Sequence, residues 1–164
     1  MPSPPPAGPA RLERIAVMAY KHIPFYNLDQ PVGLGAPNQR TDVLLVQYFL
    51  RELFRHTDLS ADKPPGDLAV DGHFGPVTAT WISSYQKQLK AKGFSVVTDG
   101  RVDPARGELM FSKVAISHER YTIWHMNISF RKRFQEAHDH LETAPGVPPD
   151  LAAVLAGFER GNGG

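Results

Sequence analysis

The sequence predicts an all-α fold, and three observations lead to it. Apolar residues recur at three- and four-residue steps in two long segments, through Val43, Val46, Leu50, Leu53 and Phe54 and again through Trp81, Ile82, Tyr85 and Leu89. That spacing stacks them on one face of a helix. Clusters of Gly, Pro, Asp and Asn separate the periodic segments and read as loops. The second segment is announced by Gly75-Pro76, and a proline at the first helical position sacrifices no hydrogen bond because that amide has no intrahelical partner anyway.

Taken in order, residues 1–10 form a Pro-rich arm whose fixed backbone angles and missing amide donors disfavour regular structure. Leu12, Ile15, Val17, Met18 and Ala19 predict a first helix from Ala10 to about His22, closed by Pro24. Pro31, Gly33, Gly35 and Pro37 make 27–39 a loop, with a domain boundary near 30. A helix capped by Asn38 or Thr41 then carries Val43 to Phe54. Asp58, Ser60, Asp62, Pro64, Pro65, Gly66 and Asp67 loop over the surface. The Asp71-Gly72 turn leads into a helix from Pro76 that stops at Gly93. Asp99-Gly100-Arg101-Val102-Asp103-Pro104 reads as a similar turn rather than a repeat. Thr122 caps a further helix reaching Leu141, with Ile123, Met126, Phe130, Phe134, Ala137 and Leu141 on one face. Pro145 to Pro149 breaks the chain, Asp150 to Phe158 forms a short terminal helix, and 161–164 is a frayed tail. The expected division is an arm at 1–10, an N-terminal helix and loop at 11–32, a module at 33–104 and a helical extension at 105–164.

Composition narrows the function classes. With 164 residues, 41% hydrophobic and 21% charged, the chain suits one compact domain, or one small domain with extensions. Lys plus Arg number 18 against 17 Asp plus Glu, a formal net charge of +1 that offers nucleic acid no global field. The dense basic run, Arg131-Lys132-Arg133, reads as a solvated helix face. The absence of cysteine excludes disulfides, thiolate zinc sites and cysteine nucleophiles. No signal peptide or membrane span is legible, so the chain is expected to be made in the cytoplasm, reaching any outside ligand by lysis, a secretion machine or a virion.

The segments around 43–50 and 70–86 resemble the peptidoglycan-binding domain family, a three-helix module attached to cell-wall hydrolases and phage lysins. The family pattern Val-x-x-Leu-Gln-x-x-Leu is met by Val43, Val46, Gln47 and Leu50. Its Asp-Gly-x-Phe-Gly-x-x-Thr is met by Asp71, Gly72, Phe74, Gly75 and Thr78, with Tyr85-Gln86 in the place of Phe-Gln and 99–104 as the closing turn. The match covers about 33–104. Trp81 departs from it, since the family keeps a small residue there, and the 56–69 loop is long. The resemblance implies a small helical core and a groove that recognises peptidoglycan glycan or stem peptide, and the apolar spacing outside it adds N- and C-terminal helices.

Asp71, Gly72, Phe74, Gly75 and Thr78 have a structural explanation in bonded amides, a turn angle, a buried ring and a helix start. Two roles are open to Gln47, Trp81, Tyr85 and Gln86: amides and rings lining a sugar- or peptide-binding groove, or core residues satisfied locally. Catalytic signatures are missing. No nucleophile elbow, phosphate-cradling loop or dinucleotide fingerprint occurs, and no cofactor is implied. His138 and His140 lie on opposite sides of a helix, Glu136 and His140 lack a third ligand, and His118 and His125 read as packing or surface residues. Glu108, Glu119, Glu136 and Asp139 are open to two readings, a carboxylate pair for glycoside cleavage or, more commonly, a solvated surface. The expected function is therefore non-catalytic recognition of cell-wall peptidoglycan. The alternative is reuse of the fold for protein contacts or self-assembly through the terminal segments, as in a phage particle or contractile injection system.

Overall fold

The computed structural model describes residues 11–18, 21–56, 63–105 and 121–163, and side chains within 24–56, 63–105 and 121–156. Its elements are β1 (Arg11–Met18), β2 (Lys21–Asn27), α1 (Arg40–His56), α2 (Pro76–Ala91), α3 (Thr122–Arg133), α4 (Gln135–Asp139), a 3-10 turn (Leu141–Thr143) and α5 (Pro149–Gly163). The molecule is mostly helical, as the periodicity predicts. No helix among the described residues is long and apolar enough to cross a membrane.

α1 is the central element. Every residue from Asp42 to Leu50 is buried, so the helix is covered around its whole circumference rather than along one stripe. The face read from sequence, Val43, Val46, Leu50, Leu53 and Phe54, accounts for only part of this. Leu44, Leu45, Tyr48 and Phe49 are enclosed as well, with Phe49 5.2 Å and Tyr48 5.9 Å, ring centre to ring centre, from Phe130 of α3. The Tyr48 hydroxyl donates to the Pro145 carbonyl at 2.9 Å. Burial pushes that phenol up to about 12, with Glu52 adding to the effect. The C-terminal elements therefore fold over α1, and one continuous core runs from Phe25 to Leu155. The expected 33–104 unit is not closed on itself.

The N-terminal segment corrects the sequence reading. Where a helix was expected from Ala10 to His22, β1 and β2 pair as an antiparallel hairpin, with Arg11 opposite Asn27, Ile15 opposite Ile23 and an irregularity between Ala16 and Met18. The β-branched Ile15, Val17 and Ile23 suit extended backbone. Pro24, opposite Arg14, is tolerated because both strands of a two-stranded sheet are edges. The additional N-terminal helix is therefore absent, while the C-terminal helices are present.

The long helix expected from Thr122 to Leu141 is interrupted at Phe134, whose backbone lies at φ −135°, ψ 67°. No Pro or Gly marks the break. It turns His138 and Leu141 inward onto β2, where the Tyr26 hydroxyl donates to the His138 carbonyl at 2.5 Å and accepts from the Leu141 amide at 3.2 Å. α2 ends as predicted at Gly93 (φ +93°), where the Phe94 amide bonds the Leu89 carbonyl and the Gly93 amide the Lys90 carbonyl, both at 3.0 Å. That is a Schellman closure, which favours glycine at the left-handed position. α5 runs on to Gly163, beyond the expected stop at Phe158.

Candidate functional site

The Asp-Gly turn after α1 is built around Gln47. Its side-chain oxygen accepts from the Asp71 and Gly72 amides at 3.1 and 2.9 Å. Its nitrogen donates to Asp71 Oδ1 at 3.3 Å, to the His73 carbonyl at 3.0 Å and to Thr78 Oγ1 at 3.0 Å. One primary amide, both donor and acceptor and never charged, thus fastens the turn and the first turn of α2 to α1. Asp71 Oδ1 also accepts from the His73 amide at 2.9 Å, and this bond above all holds the carboxyl below its ordinary value. Gly72 sits at φ +79°, and a Cβ there would meet Arg40 at 2.8 Å. Arg40 in turn donates to the Asp71 carbonyl at 2.7 Å and pairs with Asp150 of α5 at 2.8 Å. Gly75 precedes Pro76 as the N-cap, Thr78 is buried and Phe74 is half-buried against the core, so the five motif residues take the structural places expected of them.

The second turn repeats this arrangement one helix later. Gln86 of α2 accepts from the Gly100 amide at 2.8 Å and donates to the Arg101 carbonyl at 2.8 Å and to Thr122 Oγ1 at 3.0 Å. Asp99 Oδ1 takes the Arg101 amide at 3.0 Å, and Gly100 has φ +74°. Gln47, Asp71, Gly72 and Thr78 correspond to Gln86, Asp99, Gly100 and Thr122. The 99–104 segment, read from sequence as a similar turn only, is the second copy of one clamp.

These bonds and the burial of the rings bear on the roles left open. Gln47 and Gln86 are buried with their amides satisfied inside the protein. Trp81 is buried edge-on to Phe54 at 5.1 Å. Tyr85 has no exposed surface, and its burial pushes the hydroxyl well above its ordinary value. The four residues expected to line a groove do not present a ligand-binding face, although Gln47 lies at the floor of the cleft described next.

That cleft, about 290 Å³, opens beside the first turn. Asp67, Asp71 and His73 give it polar walls, and Leu68, Phe74 and Val77 apolar ones. Asp71, His73 and Val77 are exposed. A second hollow of about 690 Å³ lies between Phe134, Ala137 and His140 on one side and Thr143 to Pro145 on the other.

Sequence reasoning passed over two further buried amides. Asn27 accepts from the Ala105 amide and donates to the Ala105 carbonyl, both at 2.9 Å. Asn127 does the same for Tyr26, accepting its amide at 2.9 Å and donating to its carbonyl at 3.0 Å. Each side chain stands in for a neighbouring strand. No local pattern marks them, since their partners lie 78 and 101 positions away. Asn38, expected as a helix cap, instead closes the preceding loop onto Gly33 and Ala36.

Among the described residues no group of three or more His, Asp or Glu side chains gathers as a metal site. His138 is buried and His140 exposed, on opposite sides as their spacing requires. Arg131 is half-buried and bonds Asp139 at 3.0 Å, while Lys132 and Arg133 are exposed. Glu108, Glu119 and His118 lie outside the described residues. Comparison with protein-family models, curated proteins and solved structures finds no match, so the resemblance rests on its motifs.

Proposed function

We propose that this chain is a non-catalytic recognition module for bacterial cell-wall peptidoglycan, with the cleft beside the Asp71–Thr78 turn as its contact. The observation that carries the reading is the cleft's position on the family motif, with a fixed carboxylate and an imidazole on one side and apolar surface on the other. Small-molecule sites run from roughly 300 to 1,000 Å³, so a hollow of this size takes one or two residues of a stem peptide rather than a length of glycan. Short aliphatic side chains, amides and charged termini, which stem peptides offer, match those walls.

The test is co-sedimentation with washed sacculi. His73→Ala combined with Val77→Ser changes two exposed lining side chains outside the core and leaves the His73 backbone groups of the clamp in place. Saturable binding by the parent chain, lost in this folded variant, supports the cleft. No binding by the folded parent overturns the reading, and equal binding by the variant moves the contact elsewhere.

A second reading, contact with other proteins in a larger assembly, is favoured by the exposed apolar residues Leu34 (84% exposed), Phe94 and Val97. Such side chains mark interaction surfaces when they gather into a patch. A monomer throughout a concentration series, together with saturable wall binding, removes support for self-assembly.

A further inference from the structure

The N-terminal hairpin packs on α3, α4 and α5, and a closed ring of bonds at one buried histidine ties β2 to α3 and α4. Asn127 of α3 satisfies both backbone groups of Tyr26, the outward-facing edge of β2, and also donates to the Ile123 carbonyl at 2.9 Å. Its oxygen therefore accepts, and His138 Nε2, 2.9 Å from that oxygen, must carry the proton. Tyr26 closes the ring, its side chain edge-on to the His138 imidazole at 5.0 Å and its hydroxyl on the His138 carbonyl. With Nε2 donating, Nδ1 is the basic nitrogen. It is buried, has no hydrogen-bond partner, and lies 3.8 Å from Asp139 Oδ1.

We infer that His138 is an acid-sensitive latch: a proton arriving at Nδ1 frees the β1–β2 hairpin from α3 and α4 while the rest of the helical body stays folded. The groups facing the ring explain the direction. From β2 comes the uncharged Tyr26, from α3 Asn127, Phe130 and Arg131, from α4 Asp139, and from the 3-10 turn Leu141. Asp139 favours the cation, but Arg131 already neutralises it at 3.0 Å. A charged imidazole is costly there, because its ring is enclosed by Tyr26 and Phe130 and its Nδ1 is buried without a hydrogen-bond partner.

Burial holds the ring at about 4, against 6.5 for a free imidazole, with Arg131 adding to the effect and Asp139 opposing it. Because the closed state binds the proton more weakly than the open state, closure is fully stabilised above about 6.5 and weakens as pH falls towards about 4. The opening constant therefore rises by up to about tenfold per pH unit within that window and levels off on the order of a hundredfold. This device does not depend on what the cleft binds.

The Tyr26 amide, which donates to Asn127, is the probe. Its hydrogen exchange, corrected for intrinsic rate, is followed from pH 7.5 to 4 beside that of Val46 in α1. The expected result is a Tyr26 opening constant larger than that of Val46, steep in pH for the parent chain and flat for His138→Phe. Coincident opening of Tyr26 and Val46, or an unchanged slope in the variant, overturns the latch. Should His138→Phe fail to fold, nitrogen NMR of the parent imidazole decides. An Nε2–H tautomer that stays neutral down to about pH 4.5 in the folded state supports the latch, and titration near 6.5 in that state overturns it.

Discussion

Gln47 and Gln86 show how much one uncharged side chain can organise. A carboxylate in either place has no hydrogens to donate, and an ammonium or guanidinium has no acceptor, whereas each clamp needs both. Gln47→Ala leaves the buried Gly72 amide and the Thr78 hydroxyl without their partner and should lower stability by roughly 2–3 kcal/mol in urea unfolding. Gln47→Glu should be worse at neutral pH, because it sets a second carboxylate against Asp71 Oδ1, and should recover as that carboxylate is protonated. Glycine gives a second contrast at this scale. Gly72 and Gly35 share a left-handed φ, but a Cβ at Gly35 meets nothing within 4 Å, whereas one at Gly72 strikes Arg40. Gly35→Ala should cost about 1 kcal/mol, the backbone penalty alone. Gly72→Ala should exceed about 2 kcal/mol, since Arg40 must leave the Asp71 carbonyl and Asp150 as well. Thermal denaturation of the two variants side by side checks the difference.

At the scale of elements, the hairpin and the broken C-terminal helix depend on each other. A two-stranded hairpin is marginal alone in water, and β2 gains its missing neighbour from Asn127 rather than from a third strand. The Phe134 break is what brings His138 and Leu141 to Tyr26. Asn127→Leu keeps the branched side-chain shape, with bulkier methyl groups, but strands the amide and carbonyl of Tyr26, a loss on the order of 2–3 kcal/mol. Exchange of the Tyr26 amide should rise about 30- to 150-fold, with exchange in α2 nearly unchanged. Equal acceleration in α2 would mean that the hairpin is no separable unit. The clamp pairs α1 with α2 and then α2 with α3 by the same four residue types, so these helices follow one another at the same kind of corner.

For the whole molecule, the enclosure of α1 sets the limits of division. A module spanning 33–104 retains α1 and α2 but loses α3, α5 and the hairpin. It uncovers Leu44, Leu45, Tyr48 and Phe49, which those elements help to bury. Burying a side chain of this size contributes about 1.5–3 kcal/mol, so removing the cover costs an amount comparable to the total stability of an ordinary small domain. Residues 33–104 expressed alone should therefore give no cooperative unfolding transition by circular dichroism, whereas the full chain gives one. A folded 33–104 fragment would show the extensions to be dispensable.

The sequence by itself determined α1, α2, the Asp-Gly turns and the glycine stops, because each follows from residues within a turn or two of one another. Pro76 starts its helix and Gly93 ends its own wherever they stand in space. It also offered a structural explanation for the motif residues Asp71, Gly72, Phe74, Gly75 and Thr78. Tertiary structure decided the rest. Leu12, Ile15 and Val17 fit a helix or a strand, and only pairing with 21–27 selects the strand. Gln47, Trp81, Tyr85 and Gln86 suit a groove or a core, and only the elements packed around them place all four inside. Asn27, Asn127 and His138 carry no local signal, because their bonding partners are supplied by distant segments that meet only when the chain has folded.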